Sequence, residues 1–283
     1  MYQKAYGIIE TLAPLHVGAS ANEENGNLNL IFRDQFTQTG IIPGSSLRGR
    51  FRADLRGESK DHGHWYGQEA IPGEPDSTSE GLVKFEYASI VWIPVFCPNQ
   101  PIVRVSSPSL LKRYQKLTQP QTRQVEYIEP YSYCGKKSSD ILFFNLGFLP
   151  LKKEEEKLKN FIPSEVRESE SYLLLVVDDN EISMIHDMAL YRQSRVSLEP
   201  NQKKAKKGAF FDVEALPEGT VLIFPLALRK TFEQKPIQWE NFIKAHEIKS
   251  GKELYFGGLE SIGFGRTEVH LKSCLSGSTK PVV

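Results

Sequence analysis

The stretch Thr39-Gly40-Ile41-Ile42-Pro43-Gly44-Ser45-Ser46-Leu47-Arg48-Gly49-Arg50-Phe51-Arg52 decides how this chain is read. A turn marked by Gly40, Pro43 and Gly44 runs into two serines, and either hydroxyl can cap a helix over about 46–56. Arg48, Arg50 and Arg52 open that helix. Its free backbone N–H groups and positive dipole end thus meet three guanidinium groups within two turns, a construction suited to anions and to phosphate in particular. Far along the chain, Phe256-Gly257-Gly258-Leu259-Glu260-Ser261-Ile262-Gly263-Phe264-Gly265-Arg266 forms a second glycine-rich loop where backbone can approach a ligand closely. Two such elements in one chain point to an extended, phosphate-bearing partner.

The bulk composition constrains this reading. At 283 residues the chain can bury a substantial core. Lys+Arg and Asp+Glu both number 35, so the formal net charge is zero. An RNA contact therefore requires positive charge segregated onto one face or shared between neighbouring subunits. The sequence holds no run of 18 apolar residues and no charged-then-apolar leader, which argues against membrane and secretory roles. Cys97, Cys134 and Cys274 are odd in number and scattered, as expected of a reduced, cytoplasmic protein.

Strand and helix patterns alternate with hairpins, which predicts an α+β protein: a ferredoxin-like (RRM-like) core with large insertions, helices on one face and a single domain over 1–283. The insertions fall at about 57–80 and 118–171. A long β-hairpin is expected at about 190–216, its tip at 199–208 carrying Lys203, Lys204, Lys206 and Lys207. Residues 83–96 read as a buried strand, straight or bent, 152–171 as a charged helical excursion and 239–254 as a helix. Ser107-Pro108 begins a short helix, and Asp178-Asp179 can cap another that runs to about Met188.

Five segments carry a family resemblance: Leu15-His16-Val17-Gly18, Ile41 to Gly49, Gly81-Leu82-Val83-Lys84-Phe85, Arg195-Val196 with Gly208-Ala209-Phe210-Phe211 and Glu214, and Gly257-Gly258 through Gly263-Phe264-Gly265. In this order they resemble the RAMP superfamily of CRISPR proteins, specifically the repeating backbone subunit of type III effector complexes. The resemblance implies a subunit that lines up along a guide RNA, with the arginine helix and glycine loop as a palm and the hairpin as a thumb. Its RNA-contacting set is His16, Ser45, Ser46, Arg48, Arg50, Arg52, Gly257, Gly258, Gly263, Gly265 and Arg266, joined by the hairpin lysines Lys203, Lys204, Lys206 and Lys207. The implied partners are guide RNA, target RNA, other RAMP subunits and the large effector subunit.

Active relatives place a target-cleaving aspartate five residues before an Arg-Asp pair. Here the pair is Arg33-Asp34 and the matching position is Leu28, which can neither move a proton nor hold a metal. The resemblance thus implies a degraded slicing site. Glu23 or Glu24 remain alternative carboxylates, Asn25 or Asn27 can position a 2′-hydroxyl, and Mg²⁺ or another divalent metal is required only if cleavage is retained. No intrinsic cofactor is expected. Two other readings stay open: an active endonuclease, and a cap or guide-processing subunit working through His16.

Each feature also has a plainer reading. Arginines on a helix can be a solvated face, and lone histidines such as His16 are mostly structural. His62, His64 and Cys97 lack a fourth zinc ligand, so no metal site is assigned. Tyr127, Tyr131 and Tyr133 can stack on bases or fill a core, and Glu154-Glu155-Glu156 reads as a solvated helix face.

Overall fold

The computed structural model describes residues 1–19, 28–58, 62–68, 77–145, 147–166, 172–199, 202–232 and 234–274. Strand Tyr2–Thr11 is apolar on both sides: Ala5 and Ile9 face one core, Ile8 the other. A strand so patterned belongs in the middle of a sheet covered on two faces. It pairs antiparallel with Val221–Arg229 on one side and Arg266–Ser273 on the other, and Val221–Arg229 pairs antiparallel with Ala88–Cys97. Taken in chain order, these strands stand side by side as fourth, first, third, second. Helix Gly44–Glu58 lies in the first connection and helix Trp239–Ala245 in the third. Beyond Ala88–Cys97 the sheet continues through Gln100–Ser106, Leu173–Val176, Ser132–Cys134 and Lys153–Glu154, and Lys252–Tyr255 forms the opposite edge.

One face is covered by the arginine helix, whose Leu47, Phe51 and Leu55 recur every fourth residue and are fully buried. The Phe51 ring packs against Phe85, Phe224, Phe256 and His246. The other face is also covered, which corrects the one-sided expectation. Helix Pro108–Thr118 and the 3-10 turn Glu156–Phe161 bury Ile8, Trp92, Val221 and Ile223 beneath Leu111, Tyr114 and Phe161. A second apolar face left wet would cost too much hydrophobic free energy.

Local expectations are revised where distant segments intervene. Residues 83–96 form two strands, Val83–Phe85 and Ala88–Cys97, both paired to Val221–Arg229. The expected helix at 152–171 is instead the short strand Lys153–Glu154 and a 3-10 turn, stopped before Pro163, which cannot donate a backbone hydrogen bond. Helix Trp239–Ala245 is shorter than expected because Lys252–Tyr255 joins the sheet edge after Gly251 (φ 100°). Asp178 holds a turn by accepting from the Asn180 N–H, and Glu181 takes the cap of helix Ile182–Ala189. Asp179 accepts from the Ser109 N–H and hydroxyl at 3.0 and 2.6 Å, so it caps helix Pro108–Thr118 from a remote segment.

The hairpin forms from Tyr191–Glu199 and Gln202–Ala215, with Leu28–Asn29 added in parallel beside Asp212 and Val213. Its strands extend further than expected, so Lys203, Lys204, Lys206 and Lys207 lie along the second strand rather than in a tip loop. There Ala205 pairs with Leu198 and Gln202 with Glu199, and the register shifts on either side of Leu198.

Two buried histidines predict a pH dependence. His246 shares a 2.8 Å hydrogen bond with the Tyr66 hydroxyl, and burial pushes it down to about 4, against the pull of Asp54. Burial likewise lowers His186, whose Nε2 accepts from the Gly40 N–H at 2.9 Å. The unfolded chain takes up these protons near pH 6.5 and the folded chain resists. Stability is therefore fully present above pH 6.5 and falls as pH drops towards 4, by up to about 1.4 kcal/mol per pH unit for each histidine. Urea unfolding at pH 7, 6 and 5 checks this; a flat profile refutes it.

Candidate nucleic-acid interface

The arginine helix begins at Gly44, with the Leu47 N–H donating to the Pro43 carbonyl at 3.1 Å. Proline has no N–H to lose and takes the cap position, so Ser45 and Ser46 sit inside the first turn and neither is the cap. Burial of Leu47, Phe51 and Leu55 turns Ser45, Gly49 and Ala53 outward as an exposed strip. By helical geometry Arg48 and Arg52 flank this strip on one side and Arg50 on the other. All three arginines are half-buried.

Arg48 donates to the Tyr66 carbonyl and, with Ser45, Gly81 and Lys84, lines one groove. Arg50, Ser46 and Gly49 form one wall of an open cleft of about 420 Å³; Val17, Gly18, Gly257, Gly258 and Glu260 line the rest of it. The two elements singled out in the sequence are therefore walls of one cleft.

The glycines divide by what they touch. Gly257 has φ 79°, and a Cβ there would lie 2.1 Å from the His16 carbonyl oxygen. Gly265 has φ 85°, and its Cβ would lie 2.4 Å from the Phe256 oxygen. Internal packing explains both. At Gly49, Gly258 and Gly263 a Cβ would meet none of the described residues within 4 Å. Arg266 is exposed and reaches the Leu12 carbonyl at 3.4 Å.

His16 is buried, and its Nδ1–H donates to the Glu214 carbonyl at 2.6 Å. Its own carbonyl accepts from the Gly258 N–H at 3.0 Å. It ties the glycine loop to the hairpin base. The buried Glu214 carboxylate accepts from Arg33 and Arg192, both at 3.1 Å, and Arg33 also pairs with Asp187. A hydrogen bond from His186, with Arg33 beside it, holds Asp187 down to about 2 despite partial burial. Asp34, next to Arg33, accepts from the Phe36 and Thr37 N–H groups at 2.9 and 2.8 Å and so closes a turn. Nothing in the sequence signalled that His186 and Asp187 join this network, because their partners lie more than 140 residues away.

Leu28 is 37% exposed and stands in register with Asp212, an exposed carboxylate that accepts from the Ser194 hydroxyl. Glu23, Glu24, Asn25 and Asn27 lie outside the described residues, as do the side chains of His62, Lys203, Lys204, Lys206 and Lys207. Among the described residues no group of three His, Cys, Asp or Glu can hold a metal ion, and no helix is long and apolar enough to cross a membrane. His64 packs edge-on to Trp65 and Phe232, whereas Cys97 is buried against the Phe143 carbonyl. Tyr133 is buried, Tyr131 half-buried and Tyr127 exposed.

The model of the RAMP superfamily matches residues 8–268. This chain belongs to the RAMP superfamily. Its fold is similar to a chain of the cryo-EM structure of type III-B Cmr-beta bound to cognate target RNA, with TM-score 0.71 and 21% identity over 95% of this chain and 96% of that one. It is also similar to oligomeric Cmr4 from Pyrococcus furiosus, with TM-score 0.66 and 18% identity over 96% and 98% of the two chains. Among curated protein sequences, none matches. At these identities the structural likeness speaks for the fold.

Proposed function

We propose that this RAMP protein is a guide-RNA-binding backbone subunit of a type III interference complex that targets RNA. Gly49 carries the reading. A glycine inside a helix costs about 1 kcal/mol relative to alanine, and nothing among the described residues requires one there. A partner that lays its backbone on the strip between Arg48 and Arg50 accounts for it. The fourth-first-third-second strand order supports a ferredoxin-like core in one elaborated domain, and the hairpin tied to the cleft through His16 supports its reading as a thumb. A relative of the same fold, solved with cognate target RNA, favours guide RNA, target RNA, other RAMP subunits and the large effector subunit as partners. The engaged Nδ1 of His16 weighs against a processing role for that residue.

The test pairs stability with binding. Gly49→Ala should raise stability by up to about 1 kcal/mol, while Gly49→Gln weakens RNA binding without unfolding the chain. Arg48→Ala with Arg50→Ala should weaken RNA binding regardless of sequence and lower the salt slope by about one for each phosphate no longer neutralised. Unchanged affinity and salt dependence in that double variant would falsify the palm assignment.

Leu28 supports a degraded slicing site: in-line cleavage needs an activated 2′-oxygen and stabilised charge. The assembled wild-type subunit should cut target slowly or not at all opposite its own loop. Leu28→Asp should raise Mg²⁺-dependent cleavage at a fixed spacing. Asp212 beside Leu28 favours one second reading, an endonuclease with a displaced carboxylate. If the wild type cleaves and Asp212→Asn, Glu23→Ala or Glu24→Ala abolishes it, that reading replaces the first.

A further inference from the structure

The cleft between the arginine helix and the glycine loop carries two charges of opposite sign. Among the described residues that line it, Arg50 on the helix wall is the one cation and Glu260 on the loop wall the one anion. They do not pair with each other. Neither side chain forms an ion pair or a hydrogen bond with any described residue. The Arg50 Nε is nevertheless buried, a donor shut away from water and without an acceptor among the described residues. Such a donor is costly until a ligand meets it.

A fixed turn holds Glu260 at this place. Leu259 before it takes a left-handed backbone (φ 67°), which is costly for a residue with a Cβ. The Leu259 carbonyl accepts from the Ile262 and Phe264 N–H groups at 3.1 and 3.3 Å, and the Glu260 carbonyl accepts from the Gly263 N–H at 3.1 Å. Phe264 anchors the turn against Val213 and Ala215. Strain kept in this way marks a spot where position matters. Yet a carboxylate in a cleft for a polyanion repels each phosphate that enters. A ligand reconciles the two charges if every repeat offers an acceptor to Arg50 and a donor to Glu260. Ribonucleotides do so, because the carbon that bears the 2′-hydroxyl adjoins the one whose oxygen carries the phosphate. The backbone of DNA has no such donor.

We propose that Glu260 is the residue by which this chain tells ribose from deoxyribose. Its carboxylate accepts from a 2′-hydroxyl while Arg50 donates to the neighbouring phosphate, so both hydrogen bonds are charge-assisted. The assignment rests on the guide-RNA reading of the cleft and adds sugar specificity to it. No base edge is used. Tyr255, exposed and in the same cleft, can stack on any base. Recognition at this point is therefore independent of base sequence.

The test is binding of the purified full-length chain to oligouridylate and oligocytidylate, each made as RNA and with 2′-fluoro sugars, at one salt concentration. Fluorine keeps a ribose-like pucker but removes the donor. The wild type should bind RNA about tenfold more tightly than the fluoro form in both sequences, the worth of one hydrogen bond to a charged group. Glu260→Ala should bring that ratio close to one, weakening RNA binding and strengthening binding of the fluoro form. A merely solvated glutamate behaves otherwise: its loss relieves repulsion for both ligands and leaves the ratio as it was. That result, a wild type that binds both sugars equally, or a preference seen with oligocytidylate alone, where a base amine is the donor, would each overturn the proposal. Unchanged urea midpoints check that the variant is folded. The two readings fail separately. If Arg48→Ala with Arg50→Ala leaves RNA affinity unchanged, the guide-RNA reading falls. If that variant weakens binding while Glu260→Ala keeps the sugar ratio, the ribose assignment alone falls.

Discussion

Gly257→Ala is expected to destabilise the protein by about 3 kcal/mol or more and to weaken RNA binding with it. The backbone at Gly257 is left-handed (φ 79°), a conformation that costs any other residue about 1–2 kcal/mol. The added methyl would also stand 2.1 Å from the His16 carbonyl oxygen, so backbone must shift. That carbonyl is the acceptor for Gly258, and moving it loosens the bond by which the glycine loop is held. Beyond it, Phe264 packs against Val213, Ala215 and the Tyr191 ring. A displaced loop therefore frees the hairpin base and reshapes the cleft beside Arg50. Gly258→Ala is the control: its Cβ meets none of the described residues within 4 Å, and stability should change by no more than about 0.5 kcal/mol. Urea unfolding of the two variants decides the matter. Equal midpoints would mean that the loop does not depend on its close approach to His16.

Glu10→Ala should cost about 3–5 kcal/mol, because it leaves a buried charge uncompensated. Glu10 lies on the central strand and Arg104 on Gln100–Ser106, with side chains 8% and 3% exposed and their charged atoms 3.4 Å apart. Arg104 also stacks 4.5 Å over the Tyr172 ring. Burial pushes the Arg104 guanidinium down from its usual range, and Glu10 opposes that. Replacing both residues together, as Glu10→Leu with Arg104→Met, should recover most of the stability, since a buried pair contributes little beyond an apolar pair of like volume. The double-mutant cycle, read by urea unfolding, should show strong coupling. If Glu10→Ala costs no more than a surface substitution does, Arg104 has other compensation.

Much of the cleft was legible in the chain itself. The helix of Leu47, Phe51 and Leu55, with its arginines, is set by a four-residue recurrence within one segment, and the loop at 257–266 is marked by its glycines. The divergent roles of those glycines were not legible. Gly257 and Gly265 pack on backbone of the same protomer, whereas Gly49 and Gly258 face outward, and sequence spacing cannot separate the two cases. The serines fall two and three residues past the cap because Pro43 rather than a hydroxyl takes it. Helices cover both faces of the sheet because Ile8, Trp92 and Ile223 form a second apolar surface, seen only once the register is known.

What the sequence determined by itself was local: that a helix follows the turn at Pro43 and Gly44, that this helix gathers guanidinium groups, and that position 28 carries no acid. Those features rest on φ/ψ preferences and on the 3.6 and 2.0 periodicities, which act within a dozen residues. Tertiary structure alone decided the pairings: Arg50 with the glycine loop some 200 residues on, Asp179 with the start of a distant helix, and Arg33 with Asp187 and Glu214. Such partners are chosen by the summed burial of the whole core. A charge or hydroxyl finds its counterpart only after packing has brought the two segments together.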